Sequence, residues 1–293
     1  MLRIVSGRNV SAVINYGLLL LLAVSCILPL VYVLALSLSS SSAASAGLIK
    51  LWPVDFTLKA YDFILAKPAF SRSIVVSLER VALGTAINML LTLVTAYPLS
   101  KEARSFKSRT WYAWFFVFTI LFNGGLIPWY MTIQMTGIND TIWALVLPGA
   151  VPVFNVILLL NFYRKLPKEL EESAFIDGAS HWRTLLAIYV PLSLPAMATV
   201  ALFTIVHHWN SWFDGLILMN RQEHYPLSTY IQTIMTQINL TTLNEQQMKE
   251  LADVSDRTAK AAQFFLAMLP ILLVYPFLQK YFITGIVMGS VKE

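Results

Sequence analysis

The sequence predicts an all-α integral membrane protein of six transmembrane helices, and three observations predict it. The 293 residues are 57% hydrophobic and only 13% charged, whereas a soluble domain carries roughly 25% charged residues. Six stretches without Asp, Glu, Lys or Arg are each long enough to cross hydrocarbon roughly 30 Å thick. None alternates with the two-residue period of a membrane barrel strand, so the backbone has to satisfy itself as helix. A soluble protein of this size lacks the polar skin it would need. The net charge of +5 sits in the flanks of the spans and gives no case for nucleic-acid binding.

Taken in order, the first span lies in Asn9 to Ile49. Arg3 and Arg8 ahead of it, and Ala44-Ser45-Ala46 behind it, imitate a signal peptide. The apolar run from Val13 to Leu38 is longer than a signal-peptide core, so this helix is expected to be retained. Cys26 lies inside it, the single cysteine of the sequence, and reads as a small apolar filler without a disulfide or metal partner. Val81 to Ser100 forms the second span, with Glu79 and Arg80 near its start. In mid-bilayer each charge would cost roughly 2.5 to 3.5 kcal/mol, so both are expected to reach the interface or pair with a neighbour. The remaining spans are Thr110 to Asn139, Thr141 to Tyr163, Thr184 to Phe213 and Ala261 to Gln279. Pro128, Pro148, Pro152, Pro195 and Pro270 are candidate kinks within them. One transmembrane domain is expected over 1–293.

Lys and Arg in the flanks set the orientation. With the N-terminus inside, the cytoplasmic segments hold Arg3, Arg8, Lys101, Arg104, Lys107, Arg109, Arg164, Lys165, Lys168, Arg183, Lys280 and Lys292. The outside carries Lys50, Lys59, Lys67, Arg72, Arg221, Lys249, Arg257 and Lys260, on two long loops where the rule counts them less. Both termini are therefore expected in the cytoplasm. Residues 39–72 and 215–258 become extracytoplasmic segments, the second with short surface helices around Asn239 to Lys249.

The inside segment 164–191 is too long for a tight turn and too patterned for a linker. Pro167 suits the first turn of a helix, and Glu169, Glu171 and Glu172 favour its positive end. Leu170, Ala174 and Phe175 share a face at helical spacing. Gly178 interrupts the helix, an apolar stretch runs from Trp182 to Val190, and Pro191 bends the chain back. The product is a short helical elbow with an acidic edge.

Within that elbow, Glu172-Ser173-Ala174, then Asp177-Gly178-Ala179, then Ile188 and Pro191 resemble the EAA loop of ABC importer permeases. The form is similar to the Glu-Ala-Ala-x-x-Asp-Gly-Ala loop of the carbohydrate-uptake family, which includes the smaller permease of the maltose importer. Trp209-Asn-Ser-Trp-Phe-Asp214 with Tyr225-Pro226-Leu227 resembles that family's fifth helix and outer loop, and Gln279 to Gly289 its C-terminus. Asn123-Gly-Gly-Leu-Ile-Pro128 is similar to the branch that includes alginate-oligosaccharide importers. The resemblance covers about residues 70 to 293.

It implies that the elbow is a cytoplasmic coupling helix seated in a cleft of an ATP-binding cassette ATPase dimer. Glu172, Ser173, Ala174, Asp177, Gly178 and Ala179 are then the coupling residues, with Glu172 pairing with a basic group of the ATPase. Asp177 caps or braces the elbow around Gly178. Ser173 departs from the family's first alanine but is small enough to pack there. Also implied are a second permease subunit, an extracytoplasmic solute-binding protein, an oligosaccharide substrate and a bacterial cytoplasmic (inner) membrane. ATP and Mg belong to the partner ATPases. This chain has no Gly-Lys dipeptide and hence no phosphate-binding P-loop, so it is not itself the ATPase and carries no catalytic or metal residue.

Physics points the same way, since a rocking membrane domain needs a lever attached to two spans. For the substrate pathway the sequence offers Asn155, one turn after Pro152, and Trp209, Asn210 and Trp212 at the outer end of the fifth span. The tryptophans either anchor the interface or line the mouth of a sugar path. His207 and His208 are too few for a metal site. A stand-alone channel or ion-coupled carrier is the rival from another class, but such proteins place ionisable residues deep in their spans.

Overall fold

The computed structural model describes residues 7–236 and 255–290, and every regular element among them is helical. The surface helices expected at Asn239 to Lys249 lie outside the described residues. Two compact units form, 1–68 with 237–269 and 69–236 with 270–293.

In the first unit, α1 (Gly7–Ser37) is the long apolar helix of the first span. The hydroxyl-rich run after it satisfies the backbone where the helix stops. Ser39 Oγ donates to the Ala35 carbonyl at 2.6 Å and accepts the Val54 N–H at 3.0 Å. Ser40 caps α2 (Ser41–Ser45) by accepting the Ala43 N–H. Tyr61 of α3 (Lys59–Leu65) meets Ser37 Oγ at 2.7 Å. Ala35, Ala43, Ala44 and Ile49 pack together beneath these turns.

The second unit is built on α4 (Pro68–Ser100), an unbroken span. It begins well before Val81, so the expected start of the second span is corrected. Arg80 stands twelve residues into the helix, about 18 Å along its axis, and is fully buried, whereas Glu79 is exposed. The charge is inside because a partner waits there, as the site below shows.

The next three spans are broken helices. α5 (Arg109–Leu121) and α6 (Leu126–Met135) meet at 115°. Their break falls at Asn123 to Gly125, before Pro128 and not at it. Asn123 Oδ1 accepts the Gly125 N–H at 2.9 Å, and Gly125 takes φ +91°, a conformation that needs glycine. Pro128 then sits in the first turn of α6, where a missing N–H costs nothing. α7 (Ile142–Val146), extended by a tight turn Leu147–Gly149, meets α8 (Val153–Tyr163) at 47°. Pro148 and Pro152 both fall at this joint, as the sequence suggested.

Beyond α8 come α9 (Glu169–Ile176), α10 (His181–Thr184), a wide turn Leu185–Tyr189, and α11 (Val190–Leu192). The arm His181–Leu192 then meets α12 (Leu194–Asn210) at 84°. The fifth span therefore turns at Ser193, between Pro191 and Pro195, and its long apolar arm starts there and not at Thr184. α13 (Phe213–Leu218) and α14 (Leu227–Thr236) follow, and α15 (Asp256–Ser290) carries Pro270 and Pro276 without a break in its apolar part. Three unbroken helices and three bent pairs, each counted as one span, make the six.

Close packing holds the second unit. Ala96, Tyr97 and Leu99 of α4 meet Val156, Leu159 and Tyr163 of α8, with Leu185 and Tyr189. Ile133 of α6 packs with Ala144 and Leu145 of α7 and with Leu218 of α13. A Cβ built on Gly84 would collide with the His208 imidazole, whereas one on Gly17 of α1 would meet nothing. At the turn after α6, Asp140 takes φ +57° and accepts the Asn220 N–H and the His224 Nδ1–H, both at 2.9 Å. Burial alone would push its carboxyl up, but those donors outweigh it and hold the group below the usual carboxylate range.

Two outcomes are expected. Gly84→Ala should lose about 1–3 kcal/mol through overpacking, read as a lower detergent melting temperature than wild type, while Gly17→Ala melts as wild type does. A depressed carboxylate contributes stability above its unfolded pKa of about 3.9 and loses it as pH falls through the folded value. Melting of the wild type should therefore fall more steeply than that of Asp140→Asn as pH drops from about 5 to about 3, and parallel slopes would remove Asp140 from this role.

Candidate functional site

The elbow is built around a helix stop. At the end of α9 the Gly178 N–H donates to the Phe175 carbonyl at 3.0 Å, and the Ala179 N–H to the Ala174 carbonyl at 2.9 Å. Gly178 takes φ +77°, so this is a left-handed glycine stop that satisfies the helix's last carbonyls. No atom crowds a Cβ placed there; the demand for glycine is conformational. Asp177 is the C-cap residue by its backbone and its side chain is exposed. Ser180 opens the next helix by accepting the Arg183 N–H. The acidic lever thus ends, turns and restarts within four residues.

Two neighbouring carboxylates point to different worlds. Glu171 turns inward: its Oε1 meets Lys101 Nζ at 2.6 Å and its Oε2 accepts the Tyr189 hydroxyl proton at 2.8 Å. Lys101 also donates to the Tyr189 oxygen at 3.0 Å and lies over the Tyr97 and Tyr189 rings at 3.8 and 4.2 Å. Burial pushes the Lys101 ammonium below its ordinary value, and the Glu171 carboxylate opposes that shift. Glu172 is exposed, shares only the field of Lys168, and forms no hydrogen bond or ion pair among the described residues. Successive residues on a helix stand about 100° apart, which is why one is anchored and the next is free.

The other elbow residues follow the same division. Ala174 is buried, and Phe175 meets the His181 ring edge-on at 4.9 Å. Ser173 is exposed and its hydroxyl back-bonds to the Leu170 carbonyl at 3.2 Å, so serine fits where alanine would. Lys168 pairs with Glu102, each holding the other charged, but the pair is exposed and screened by solvent. At the end of α4, Arg164 caps the Leu99 carbonyl at 3.3 Å and Arg109 the Lys101 carbonyl at 3.0 Å. Cavities of about 390 and 610 Å³ share Lys101, Ser105, Glu171 and Phe175 in their walls.

A second centre lies beside two of the helix breaks, those at Asn123 to Gly125 and at Pro148. Arg80 places Nη1 on Asp214 Oδ1 at 3.2 Å and on the Ser211 carbonyl at 3.1 Å. Its Nη2 reaches Asp214 Oδ2 and, at 3.5 Å, the Leu145 carbonyl. Next to it is a cavity of about 500 Å³ walled by Arg80 and Asp214, His207 and His208, Ser211 and Phe213, and by Asn123, Trp129, Leu145 and Pro148.

Of the pathway candidates, Asn155 is buried and donates from Nδ2 to Thr204 Oγ1 at 3.1 Å, linking α8 to α12. Trp209 is buried, Asn210 and Trp212 are exposed, and none of the four is in the wall of this cavity. Sequence reasoning missed Glu171 with Lys101, and the pairing of Arg80 with Asp214. For the second a signal existed, since a lone arginine in an apolar helix demands a partner. For the first there was none, because Glu171 and Glu172 are alike in sequence.

These features define a helical, multi-spanning membrane subunit whose spans are bent at glycine and proline and whose fourth and fifth spans are joined by a braced elbow. The family model for binding-protein-dependent transport system inner membrane components matches residues 88–287. The chain belongs to that family. Among its relatives is Protein LplC of Bacillus subtilis (strain 168), 40% identical over 91% of this chain and 89% of that protein. The polygalacturonan/rhamnogalacturonan transport system permease protein YtcP of the same organism is 38% identical over 94% of this chain and 96% of its own. A chain from the crystal structure of a bacterial ABC transporter involved in the import of the acidic polysaccharide alginate superposes with a TM-score of 0.87. It is 29% identical, and the match covers 94% of this chain and 98% of that one.

Breaking the Glu171 anchor leaves a half-buried ammonium without its carboxylate, a loss of roughly 1.5–3 kcal/mol for a hydrogen bond to a charged group. Glu171→Gln should accordingly speed amide hydrogen exchange across 169–178 by on the order of ten- to a hundredfold, while Glu172→Gln leaves it at the wild-type rate. Equal protection in both variants would show that Glu171 does not brace the elbow.

Proposed function

We propose that this chain is one of two permease subunits of an ATP-driven carbohydrate importer in a bacterial cytoplasmic membrane. The elbow 164–191 faces the cytoplasm in this reading, as do both termini, and 215–258 faces outward. Two ATP-binding cassette subunits bind ATP and Mg and hydrolyse the nucleotide; this chain is not catalytic and binds no cofactor. An extracytoplasmic solute-binding protein delivers an oligosaccharide. ATP-driven closure of the ATPases moves the elbows and opens the paired permeases outward, and hydrolysis resets them. Names among the relatives support a saccharide cargo, both acidic and neutral, since maltodextrin joins polygalacturonan and alginate among them.

One observation carries the coupling role. The elbow is held on one side by the half-buried Glu171–Lys101 pair and offers on the other an exposed Glu172 that has no partner among the described residues. A lever that transmits force needs both: a rigid attachment to its own protein and a free charged contact for the motor. Glu172 is assigned to a basic group of the ATPase. Ser173 and Asp177 stand with it on the exposed surface, and Ala174, Gly178 and Ala179 shape the helix and its stop. Asn155, Trp209, Asn210 and Trp212 remain assigned to the pathway side.

Reconstitution with the second permease, the ATPases and the binding protein tests the reading. Glu172→Ala should cut sugar-stimulated ATP hydrolysis by on the order of tenfold or more, as loss of one partner of an interfacial charge pair does. Unchanged stimulation would remove Glu172 from the interface. Sugar uptake into liposomes holding this chain without any ATPase would overturn the importer reading altogether.

A further inference from the structure

Beside the elbow, two arginines at the ends of three spans have no acidic partner. We propose that Arg109 and Arg164 form a site for the phosphate of an anionic lipid in the cytoplasmic leaflet. The inference rests on the importer reading for the leaflet, and on the geometry for the phosphate.

Three chain segments bring the arginines together. Arg109 opens α5 and Arg164 follows directly on α8. Arg109 Nη1 donates to the Lys101 carbonyl at 3.0 Å, and Arg164 Nη2 to the Leu99 carbonyl at 3.3 Å. Two guanidinium groups therefore share the last turn of α4, and neither meets a carboxylate among the described residues. Capping a helix end accounts for one N–H on each, whereas a guanidinium carries five. Burial pushes Arg164 below its ordinary value, and the charge of Arg109 pushes the same way. Two like charges at one turn repel unless an anion lies between them.

The cavity they border shows which charge is missing. Both arginines lie in the wall of the cavity of about 610 Å³. In the same wall Lys101 is matched by Glu171, and Lys168 by Glu102. Among the described residues of the wall, Glu172 is then left against two arginines, an excess of one positive charge. A phosphodiester supplies a single negative charge, with oxygens that accept from two guanidinium groups at once. The surroundings select a lipid over a free phosphate. Trp111, Tyr112, Trp114 and Phe115 are exposed on the first two turns of α5, beside Arg109. Such aromatic residues mark the headgroup level of a bilayer, and basic pockets between span ends at the cytoplasmic side take anionic headgroups.

Native mass spectrometry of the full chain in detergent tests the site, with phosphatidylglycerol and diacylglycerol of the same acyl chains as probes. The wild type should bind phosphatidylglycerol roughly twentyfold more tightly than diacylglycerol. Arg109→Gln and Arg164→Gln should each weaken phosphatidylglycerol about fivefold and leave diacylglycerol unchanged; the new amide can still donate to the α4 carbonyl. Lys107→Gln and Lys165→Gln, at exposed positions outside the cavity wall, should bind both lipids as the wild type does. Equal losses in all four variants would reduce the effect to general surface charge and overturn the site. Where the arginine variants do not fold, the other proteins decide. A phosphatidylglycerol preference kept in both lysine variants upholds the site, and equal affinity of the wild type for the two lipids overturns it. Glycerophosphate bound as tightly as phosphatidylglycerol would assign the arginines to a free phosphate. Unchanged lipid binding in arginine variants that no longer retain the ATPases would assign them to the motor. Either result overturns the lipid site, and neither touches the importer reading, which fails instead if sugar enters liposomes without any ATPase.

Discussion

A guanidinium withdrawn from water sets the terms for the second unit. Arg80 lies well inside an apolar helix, and a bare charge there would cost several kcal/mol. It is tolerated because the chain brings to it both a carboxylate and backbone carbonyls of Ser211 and Leu145, just past the end of α12 and within α7. Breaking a helix in hydrocarbon leaves carbonyls without partners, and a buried arginine is one of the few groups with enough donors to serve several of them. The charge and the broken spans thus solve each other's problem. The arrangement also concentrates polar atoms beside a cavity, which a chain of straight helices would have no reason to hold.

The elbow rests on a second ion pair with a different task. Lys101 follows directly on α4, and Glu171 lies in the first turn of α9, so their contact ties the lever to the end of a spanning helix. Two tyrosine rings enclose the ammonium and one tyrosine hydroxyl bridges to the carboxylate. A pair so enclosed is rigid, whereas the exposed Lys168–Glu102 pair nearby is screened. Rigid attachment below and free charge above is a mechanical specification as well as an electrostatic one.

Much of this was legible in the sequence. Charge-free runs located six spans, and the Glu-Ser-Ala and Asp-Gly-Ala stretches located the elbow together with its glycine stop. Where the reading slipped, the cause was local. The second span was started at Val81 because Glu79 and Arg80 looked like a membrane boundary, while a buried partner let the helix run through them. The bend of the third span was placed on Pro128, although an asparagine side chain and a positive-φ glycine make it three residues earlier.

By itself, then, the sequence determined the membrane class, the number of spans and the place of the acidic elbow, since these depend on composition and on neighbours a few residues apart. Only the tertiary structure decided which of two adjacent glutamates is anchored, that Arg80 finds Asp214 across 134 positions of chain, and that two of the three breaks border one cavity. Those outcomes depend on contacts between distant segments. The periodicity of a single helix carries no record of which face its neighbours will cover.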